Sequence, residues 1–292
     1  MKIESPSLPL CCPVCGGLLN AVRAEGRVTG FVCERRHSYD AAKQGYVNLF
    51  TANRQKASGD SKEMAAARSK FLEAGYYAPF SDAVNECIAD ILERREPPYV
   101  LADAGCGEGY YTNRLSEFLG EKGLAAVIGG FDLSKHAVIH GAKTARALKL
   151  PVQYAVASLF HLPLISGSCD AVANLFAPCA ADEFYRVLQP AGFLLLAAAG
   201  ADHLWELKTS IYKKPYRNIP RRDELSGFEL TDVRQVIYRI RLQTSEDIRA
   251  LYTMTPYYWK TSREDADKLL RLEEMETTVS FDILLYRKLA GC

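Results

Sequence analysis

The sequence lacks any long hydrophobic run and any large excess of charge. No stretch of its 292 residues approaches the roughly 18 apolar residues of a membrane span, so we expect no membrane association. The N-terminus MKIESPSLPL has no charged start, apolar middle and small-residue cleavage site of a signal peptide, which favours a cytoplasmic protein. Because the formal net charge is +1, attraction to nucleic acid would have to come from local basic patches.

The sequence also lacks an even set of cysteines. Nine of them are spread from Cys11 to Cys292, and cytoplasmic thiols are kept reduced, so a disulfide framework is not expected. Hydrophobic residues make up 48% of the chain and charged residues 24%. This composition can bury the core of one medium-sized domain and a smaller unit.

Four potential metal ligands follow one another near the N-terminus in the pattern C-x2-C-x17-C-x3-H. They are Cys12, Cys15, Cys33 and His37. Their number and spacing are typical of a closed tetrahedral zinc site, and Gly16 and Gly17 let backbone N–H groups point at the thiolates. A redox Cys-x-x-Cys is the alternative, but it normally opens a helix after a strand. A zinc ion with four protein ligands would stabilise the fold and would not take part in catalysis. Cys11 is not part of this ligand set.

A different sequence pattern begins at residues 99–115, YVLADAGCGEGYYTNRL. A short apolar strand, a glycine-rich turn and a helix start form the layout in which an open α/β sheet meets a nucleotide. Strand-like runs at 125–132, 152–157, 170–176 and 192–200 alternate with helical segments. This alternation predicts a parallel sheet with helices on both faces.

Acidic residues near this turn indicate the kind of ligand. Asp132 closes the second strand and can accept hydrogen bonds from ribose hydroxyls. Asp103 suits an amine-bearing ligand, and Glu108 adds negative charge where a pyrophosphate would lie. The glycines have the spacing G-x-G-x-G, which differs from that of dinucleotide binders; they are Gly105, Gly107 and Gly109. A sulfonium cofactor with an amino-acid tail fits better, although Asp103 and Glu108 could instead cap the next helix through its dipole.

Several motifs along the chain together carry a family resemblance. CPVC with CERRH, AKQGYVNL, GDSKEM, FLEAGYY, DAGCGEGYYT, FAPC, HLWELK and MTPYYW occur in this order over nearly the full length. The chain resembles the bacterial 23S rRNA (guanine-N1)-methyltransferases of the RlmA/RrmA type, which are class I S-adenosylmethionine-dependent methyltransferases. The resemblance implies two cofactors, S-adenosylmethionine and a structural Zn²⁺, and methyl transfer to N1 of a guanine in a hairpin of 23S rRNA.

The resemblance also implies an architecture. We expect an α/β, Rossmann-like fold with a seven-stranded mixed sheet, in which residues 233–242 and 277–288 form the last pair of strands, and a small N-terminal zinc-binding module. The expected divisions are residues 1–50 for a zinc-binding RNA-recognition module, 51–96 for a linker and helices, and 97–292 for the methyltransferase domain.

Site residues follow from the family motifs. The resemblance implies cofactor contacts at Tyr77, Gly107, Glu108 and His203, in addition to Asp103, Gly105 and Asp132. Ala157 and Ser158 follow the third strand of the core, where such folds present a residue to the adenine. Phe176 could stack on a flipped base or pack in the core. Asp182 or Glu183 could take the proton from guanine N1, and the sequence leaves both open.

RNA contact is expected at two basic segments. One interleaves cations with Tyr212 and Tyr216; its cations are Lys213, Lys214, Arg217, Arg221 and Arg222. The other, in the zinc module, contains Arg35, Arg36 and Lys43. We expect an RNA hairpin to be held between the module and the catalytic domain.

Other functions stay open from the sequence. A zinc-stabilised RNA-binding protein with an inactive core is one, and a small-molecule methyltransferase is another. Both a monomer and a homodimer are compatible with the sequence.

Overall fold

The computed structural model describes residues 7–51 and 62–290; of the expected linker and helices at 51–96, residues 52–61 lie outside them. The strands are β1 (Asn20–Ala24), β2 (Arg27–Val32), β3 (Ser38–Asp40), β4 (Tyr46–Asn48), β5 (Tyr99–Ala104), β6 (Ala126–Asp132), β7 (Val152–Val156), β8 (Cys169–Leu175), β9 (Leu188–Ala199), β10 (Phe228–Leu242) and β11 (Met275–Lys288). The helices are α1 (Lys62–Glu73), α2 (Ala78–Leu92), α3 (Tyr110–Glu121), α4 (Lys135–Leu148), α5 (Ala181–Val187), α6 (Trp205–Ile211), α7 (Ser245–Met254) and α8 (Arg263–Leu269), with a 3-10 helix, η1, at Pro256–Trp259. None of the helices in the described ranges is long and apolar enough to cross a membrane.

The main sheet has the strand order β10-β11-β9-β8-β5-β6-β7-β4. Its central strand β8 is buried at every position, as expected of a strand covered on both faces. β11 runs antiparallel to both of its neighbours, and the other pairings are parallel. The predicted mixed sheet is confirmed, and β4 adds one strand to the seven expected because it pairs with β7 at the edge.

Alternate residues of the strands build two cores, one on each face of the sheet. Leu101 of β5 belongs to the core beneath α2 and α3. Its neighbours Ala102 and Ala104 belong to the core on the opposite face, which also contains residues of the N-terminal segment. The sheet is therefore covered by helices on one face and by α5 together with the N-terminal segment on the other.

The N-terminal segment forms a separate antiparallel sheet in the order β1-β2-β3 and docks on the main domain. Leu10 is fully buried in the shared core and forms a bridge with Leu164. Cys11 N donates to Pro163 O at 2.9 Å, and Ile165 N donates to Pro9 O at 3.0 Å. Burying a leucine side chain is worth about 1.5–3 kcal/mol, so Leu10 contributes substantially to the docking.

The parallel strands place their carboxyl ends along one edge of the main sheet, where ligands bind in such folds. The glycine-rich turn follows β5, and Asp132 ends β6. Ser158, Phe176 and His203 follow β7, β8 and β9. Residues that the sequence analysis selected separately thus lie along one edge.

Candidate active site and metal centre

The glycine-rich turn between β5 and α3 uses backbone conformations that favour glycine. Gly105 and Gly107 have φ values of 90° and 53°. A side chain on Gly105 would place its Cβ 2.5 Å from the Cβ of Ala177, so the turn packs tightly against the loop after β8. A Cβ on Gly107 would meet no heavy atom of the described residues within 4 Å. The turn therefore presents a bare stretch of backbone at Gly107.

Asp132 holds this turn in place. Its Oδ2 accepts a hydrogen bond from Gly107 N at 3.0 Å, and its Oδ1 accepts one from Ser134 N at 2.7 Å. Asp132 has a turn-stabilising function that the sequence analysis did not predict.

Two buried carboxylates leave acceptor atoms without partners. Asp103 Oδ2 accepts from Thr112 Oγ1 at 2.6 Å. Asp103 Oδ1 and Glu108 Oε2 are buried without a hydrogen-bond partner in the described part of the chain, and Arg68 Nη1 lies 4.0 Å from Glu108 Oε2. Buried polar atoms are normally satisfied, so two such oxygens near one turn fit a ligand that brings hydrogen-bond donors.

The charge state of these carboxylates follows from their burial. Burial raises the pKa of Asp103 to about 7, against the opposing effect of the Thr112 hydrogen bond. Burial also raises the pKa of Glu108, and the nearby Arg68 opposes this. Gly109 is the N-cap of α3, and no side chain caps it with a hydrogen bond.

Ser158 is placed beside Asp132 by the pairing of β6 with β7. Ala157 N donates to Asp132 O at 3.1 Å. Ser158 Oγ accepts a hydrogen bond from Phe160 N at 3.2 Å and keeps its own hydrogen for donation.

The loop after β8 forms the other side of the site. Phe176 has a φ of 59°, which is costly for a residue with a side chain and persists only where its surroundings enforce it. Asn174, buried at the end of β8, donates through Nδ2 to Ala104 O at 2.8 Å and to Pro178 O at 3.3 Å. These bonds fix the strained loop against the carboxyl end of β5.

The ring of Phe176 is partly packed and partly free. It lies 5.2 Å from the ring of Phe80 and 4.7 Å from that of Phe281, while the residue is 46% exposed. Tyr111, in the first turn of α3, lies 6.3 Å from it. A supported ring with an open face beside the glycine turn suits stacking on a planar group.

Tyr77 and His203 come together although they are distant in the sequence. Their rings are 6.2 Å apart, and both contact Phe281, at 5.0 Å and 4.3 Å. Ser280 N donates to His203 Nδ1 at 3.3 Å, which assigns the hydrogen of the neutral ring to Nε2. Burial lowers the pKa of His203 to about 3, so the imidazole is a neutral donor.

The two candidate bases after Phe176 differ in their surroundings. Glu183 accepts hydrogen bonds from Leu162 N at 2.5 Å and from Arg186 at 2.8 and 2.9 Å, so its carboxylate stabilises the structure. Asp182 is exposed at the start of α5. Of the pair, Asp182 is the one available to accept a proton.

The four predicted metal ligands converge, with all ligand atoms within 4.8 Å of one another. Cys15 Sγ lies 3.7 Å from Cys33 Sγ, and His37 Nδ1 lies 3.4 Å from both Cys12 Sγ and Cys33 Sγ. A tetrahedral zinc ion with Zn–S bonds of about 2.3 Å separates two sulfurs by about 3.8 Å. The observed sulfur separation fits zinc, and the ligation would be through Nδ1 of His37.

Three residues of the candidate site were not predicted from the sequence. Asn174 is an amide inside the otherwise apolar run AVANLF, residues 171–176, and this interruption could have revealed it. Phe281 and Tyr111 carry no comparable signal, because an aromatic residue in a strand or beside a helix start is ordinary.

Two family models match separate parts of the chain. A zinc-ribbon model described as "RlmA, N-terminal" matches residues 10–58, and a model described as "Methyltransferase domain" matches residues 102–196. Together with the sheet order and the glycine turn, they define a class I S-adenosylmethionine-dependent methyltransferase with an N-terminal zinc ribbon.

Three relatives match almost the entire chain. The Streptomyces fradiae 23S rRNA (guanine(748)-N(1))-methyltransferase is 30% identical over 94% of this chain and 95% of its own. Two proteins are each named "Putative 23S rRNA (guanine-N(1)-)-methyltransferase": that of Micromonospora griseorubida is 34% identical (95% and 97% covered), and that of Bacillus subtilis (strain 168) is 30% identical (95% and 96% covered). The chain belongs to the bacterial 23S rRNA (guanine-N1)-methyltransferase family of the RlmA type.

The residues of the glycine turn fit S-adenosylmethionine. The unpartnered oxygens of Asp103 and Glu108 can accept hydrogen bonds from its ammonium group and favour its positive charge. Asp132 and Ser158 lie at the carboxyl ends of β6 and β7 beside this turn, and a Cβ on Gly107 would meet no heavy atom of the described residues within 4 Å.

We expect cofactor affinity to depend on pH through Asp103. In the free enzyme its pKa is about 7, compared with 3.8 for an ordinary aspartate, so the folded state holds a proton that the unfolded state releases. The contribution of Asp103 to stability therefore falls as pH rises from about 4 to 7. A cationic ligand favours the carboxylate, so cofactor affinity should rise by up to about tenfold per pH unit below pH 7 and then level off.

Calorimetry of S-adenosylmethionine binding from pH 5 to 8 measures this dependence. Asp103→Asn should bind S-adenosylmethionine more weakly than the wild type at pH 8. Below pH 7, its plot of log affinity against pH should have a slope smaller by about one, because one fewer proton is released on binding. Parallel pH profiles for the two proteins would contradict the assignment of Asp103.

Proposed function

We propose that this protein transfers a methyl group from S-adenosylmethionine to N1 of a guanine in a hairpin of 23S rRNA. The observation that supports this most strongly is the similarity to the named relatives over about 95% of the chain, zinc ribbon included. The geometry agrees, because the partly exposed ring of Phe176 lies beside the turn that fits the cofactor.

Catalysis in this site depends on positioning. The chemistry supplied by bound S-adenosylmethionine is an electrophilic methyl group on a sulfonium sulfur. Phe176 supports the guanine by stacking. The hydrogen bond from Asn174 to Ala104 O fixes the position of the Phe176 loop relative to the end of β5. Holding reactants in line can supply much of the rate enhancement, so a rigid platform matters more than a reactive side chain.

The proton on guanine N1 must leave during the transfer. Asp182, exposed at the start of α5, accepts it directly or through water. His203 does not take this proton, because its low pKa leaves it a poor base.

The two basic segments differ in how many of their cations are available to contact RNA. Arg35, Arg36 and Lys43 of the zinc module are exposed. In the loop after α6, three of the five cations lie in ion pairs: Arg217 with Asp202, Arg221 with Asp223, and Arg222 with the buried Asp282. The zinc module therefore supplies phosphate contacts, whereas Arg222 neutralises a buried carboxylate.

We expect the variant Arg35→Glu with Arg36→Glu to bind 23S rRNA on the order of tenfold more weakly, because charge reversal opposes phosphate contact. Its affinity for S-adenosylmethionine should not change. The charge-matched control Arg94→Glu with Lys122→Glu alters the ends of α2 and α3, far from the proposed RNA path. Equal RNA binding by the two variants in a filter assay would exclude a specific contribution of the zinc module.

Mass mapping of 23S rRNA from cells with and without the gene tests the proposed reaction. The proposal predicts one N1-methylated guanine that disappears with the gene. Identical maps would refute it, and absent calorimetric binding of S-adenosylmethionine would favour an inactive RNA-binding protein.

A further inference from the structure

Three exposed apolar side chains lie on two adjoining segments, the loop 212–220 and the helix η1. Ile219 is 93% exposed, Trp259 is 68% exposed and Tyr216 is 51% exposed. The segments are in contact, since the ring of Tyr212 lies 5.9 Å from that of Tyr216 and 6.0 Å from that of Tyr257. We refer to Tyr216, Ile219 and Trp259 as the aromatic surface.

A buried lysine lies beneath this surface and contacts both of its segments. Lys208 of α6 is fully buried, and its ammonium group lies 5.0 Å from the ring centre of Tyr216 and 5.7 Å from that of Tyr257. Nζ donates to Asn218 Oδ1 at 2.6 Å and to Tyr216 O at 3.3 Å. Burial lowers the pKa of Lys208, and cation–π contacts offset part of the cost of desolvation.

The loop is also tied to the edge of the candidate active site. Asn218 N donates to Ala201 O at 3.0 Å, and Asn218 Nδ2 donates to Gly200 O at 2.8 Å. Arg217 bonds Asp202 at 2.6 Å and covers the ring of Trp205. Residues 200–202 and 205 flank His203 in the sequence, so these bonds tie the loop to the segment that carries this site residue.

Exposed cations are close in sequence to the residues of the aromatic surface. Lys213, Lys214, Lys260 and Arg263 are exposed. Lys213 faces Asp265, while Lys214, Lys260 and Arg263 have no carboxylate partner among the described residues. Rigid aromatic rings bordered by free cations are the combination that binds single-stranded nucleic acid, because bases stack and phosphates pair with the cations.

We propose that the aromatic surface binds unpaired nucleotides of the substrate RNA next to the target guanine. This proposal rests on the proposed function and extends it from the methylated base to its neighbours. Trp259 and Tyr216 stack on the bases, Ile219 packs against them, and Lys213 and Lys214 contact the phosphates. Lys208 is a positioning residue that orders the loop before RNA arrives.

The test uses the full chain and transcribed 23S rRNA. For Trp259→Ala with Ile219→Ala, we expect the Kd for RNA to rise at least about fivefold, with unchanged Tm and S-adenosylmethionine affinity. The salt dependence of RNA binding should not change, because no charge is removed. Lys213→Ala with Lys214→Ala should instead lower the slope of log Kd against log salt by about 0.7 for each phosphate that is no longer neutralised.

A control removes exposed apolar side chains elsewhere, Ile237→Ala with Leu148→Ala, and should bind RNA normally. If the wild type methylates 23S rRNA and the Trp259 variant binds the RNA as tightly as the wild type, the proposed role of the aromatic surface is wrong, while the proposed function stands. A change in self-association without a change in RNA affinity would assign the surface to a second copy and overturn the proposal. If the wild type does not methylate 23S rRNA, the proposed function fails first.

Discussion

Cys12→Ser should release zinc and reduce RNA methylation at least about tenfold, while S-adenosylmethionine still binds. Apparent zinc-binding energies of such sites are about 10–16 kcal/mol, which is folding energy for a small module. Cys12 is itself buried in the core that the module shares with the main sheet. Removing this ligand should therefore disorder β1–β3 and the exposed arginines that the module presents to RNA.

Cofactor binding should survive this change because the glycine turn does not depend on the module's sheet. The bonds that fix the turn come from Asp132 at the end of β6 and from Asn174 at the end of β8. Zinc content by mass spectrometry, methylation of 23S rRNA and calorimetry of S-adenosylmethionine should be measured on the same protein.

Cys11→Ser is the matched control, one residue away. Cys11 is not in the ligand cluster, and its backbone N–H bonds to Pro163 O, an interaction that serine preserves. Zinc content and activity should be unchanged. Zinc retained by the Cys12 variant, or released by the Cys11 variant, would overturn the ligand assignment.

Gly107→Ala should weaken S-adenosylmethionine binding about 100-fold, equivalent to about 2.7 kcal/mol, with a small loss of stability. The Cβ would enter space that no described residue fills, and we propose that the cofactor approaches the backbone there. The positive φ of 53° adds a strain of about 1 kcal/mol in the free protein.

Gly123→Ala is a control that distinguishes the effect of backbone strain from the effect of contact with the cofactor. Gly123 follows α3 with a φ of 72° and also has no described atom within 4 Å of its Cβ position, but it lies at the opposite end of the helix from the turn. Both variants should lose similar stability in thermal unfolding, and only Gly107→Ala should lose cofactor affinity. Equal affinity in the two variants would remove Gly107 from the cofactor site.

The metal ligands and the glycine turn could be predicted from the sequence because each is encoded in a short segment. The spacing C-x-x-C and the run from β5 into α3 show their geometry within a few residues. The strand β4 could not be predicted as part of the main sheet. Its three residues are too few for a periodic pattern, and its pairing depends on β7, which is remote in the sequence.

The aromatic side of the site required more than local pattern. Tyr77, Phe176, His203 and Phe281 come from four distant segments and meet only after the sheet forms. The family resemblance placed Tyr77 and His203 in the site, but Phe281 has no sequence signal. In the loop after α6, the sequence predicted RNA contact by all five cations. A count of cations does not show that Arg222 neutralises the buried Asp282 of β11.

Methylation of purified 23S rRNA by the purified protein tests the central claim most directly. The RNA is incubated with S-adenosylmethionine and with either the wild type or Gly107→Ala, and the modified nucleotide is located by reverse transcription and identified by mass spectrometry. Because N1 lies on the pairing edge of guanine, its methylation blocks extension. We predict one N1-methylguanine with the wild type and a greatly reduced yield with the variant; unmodified RNA, or a methyl group on another atom, would contradict the account.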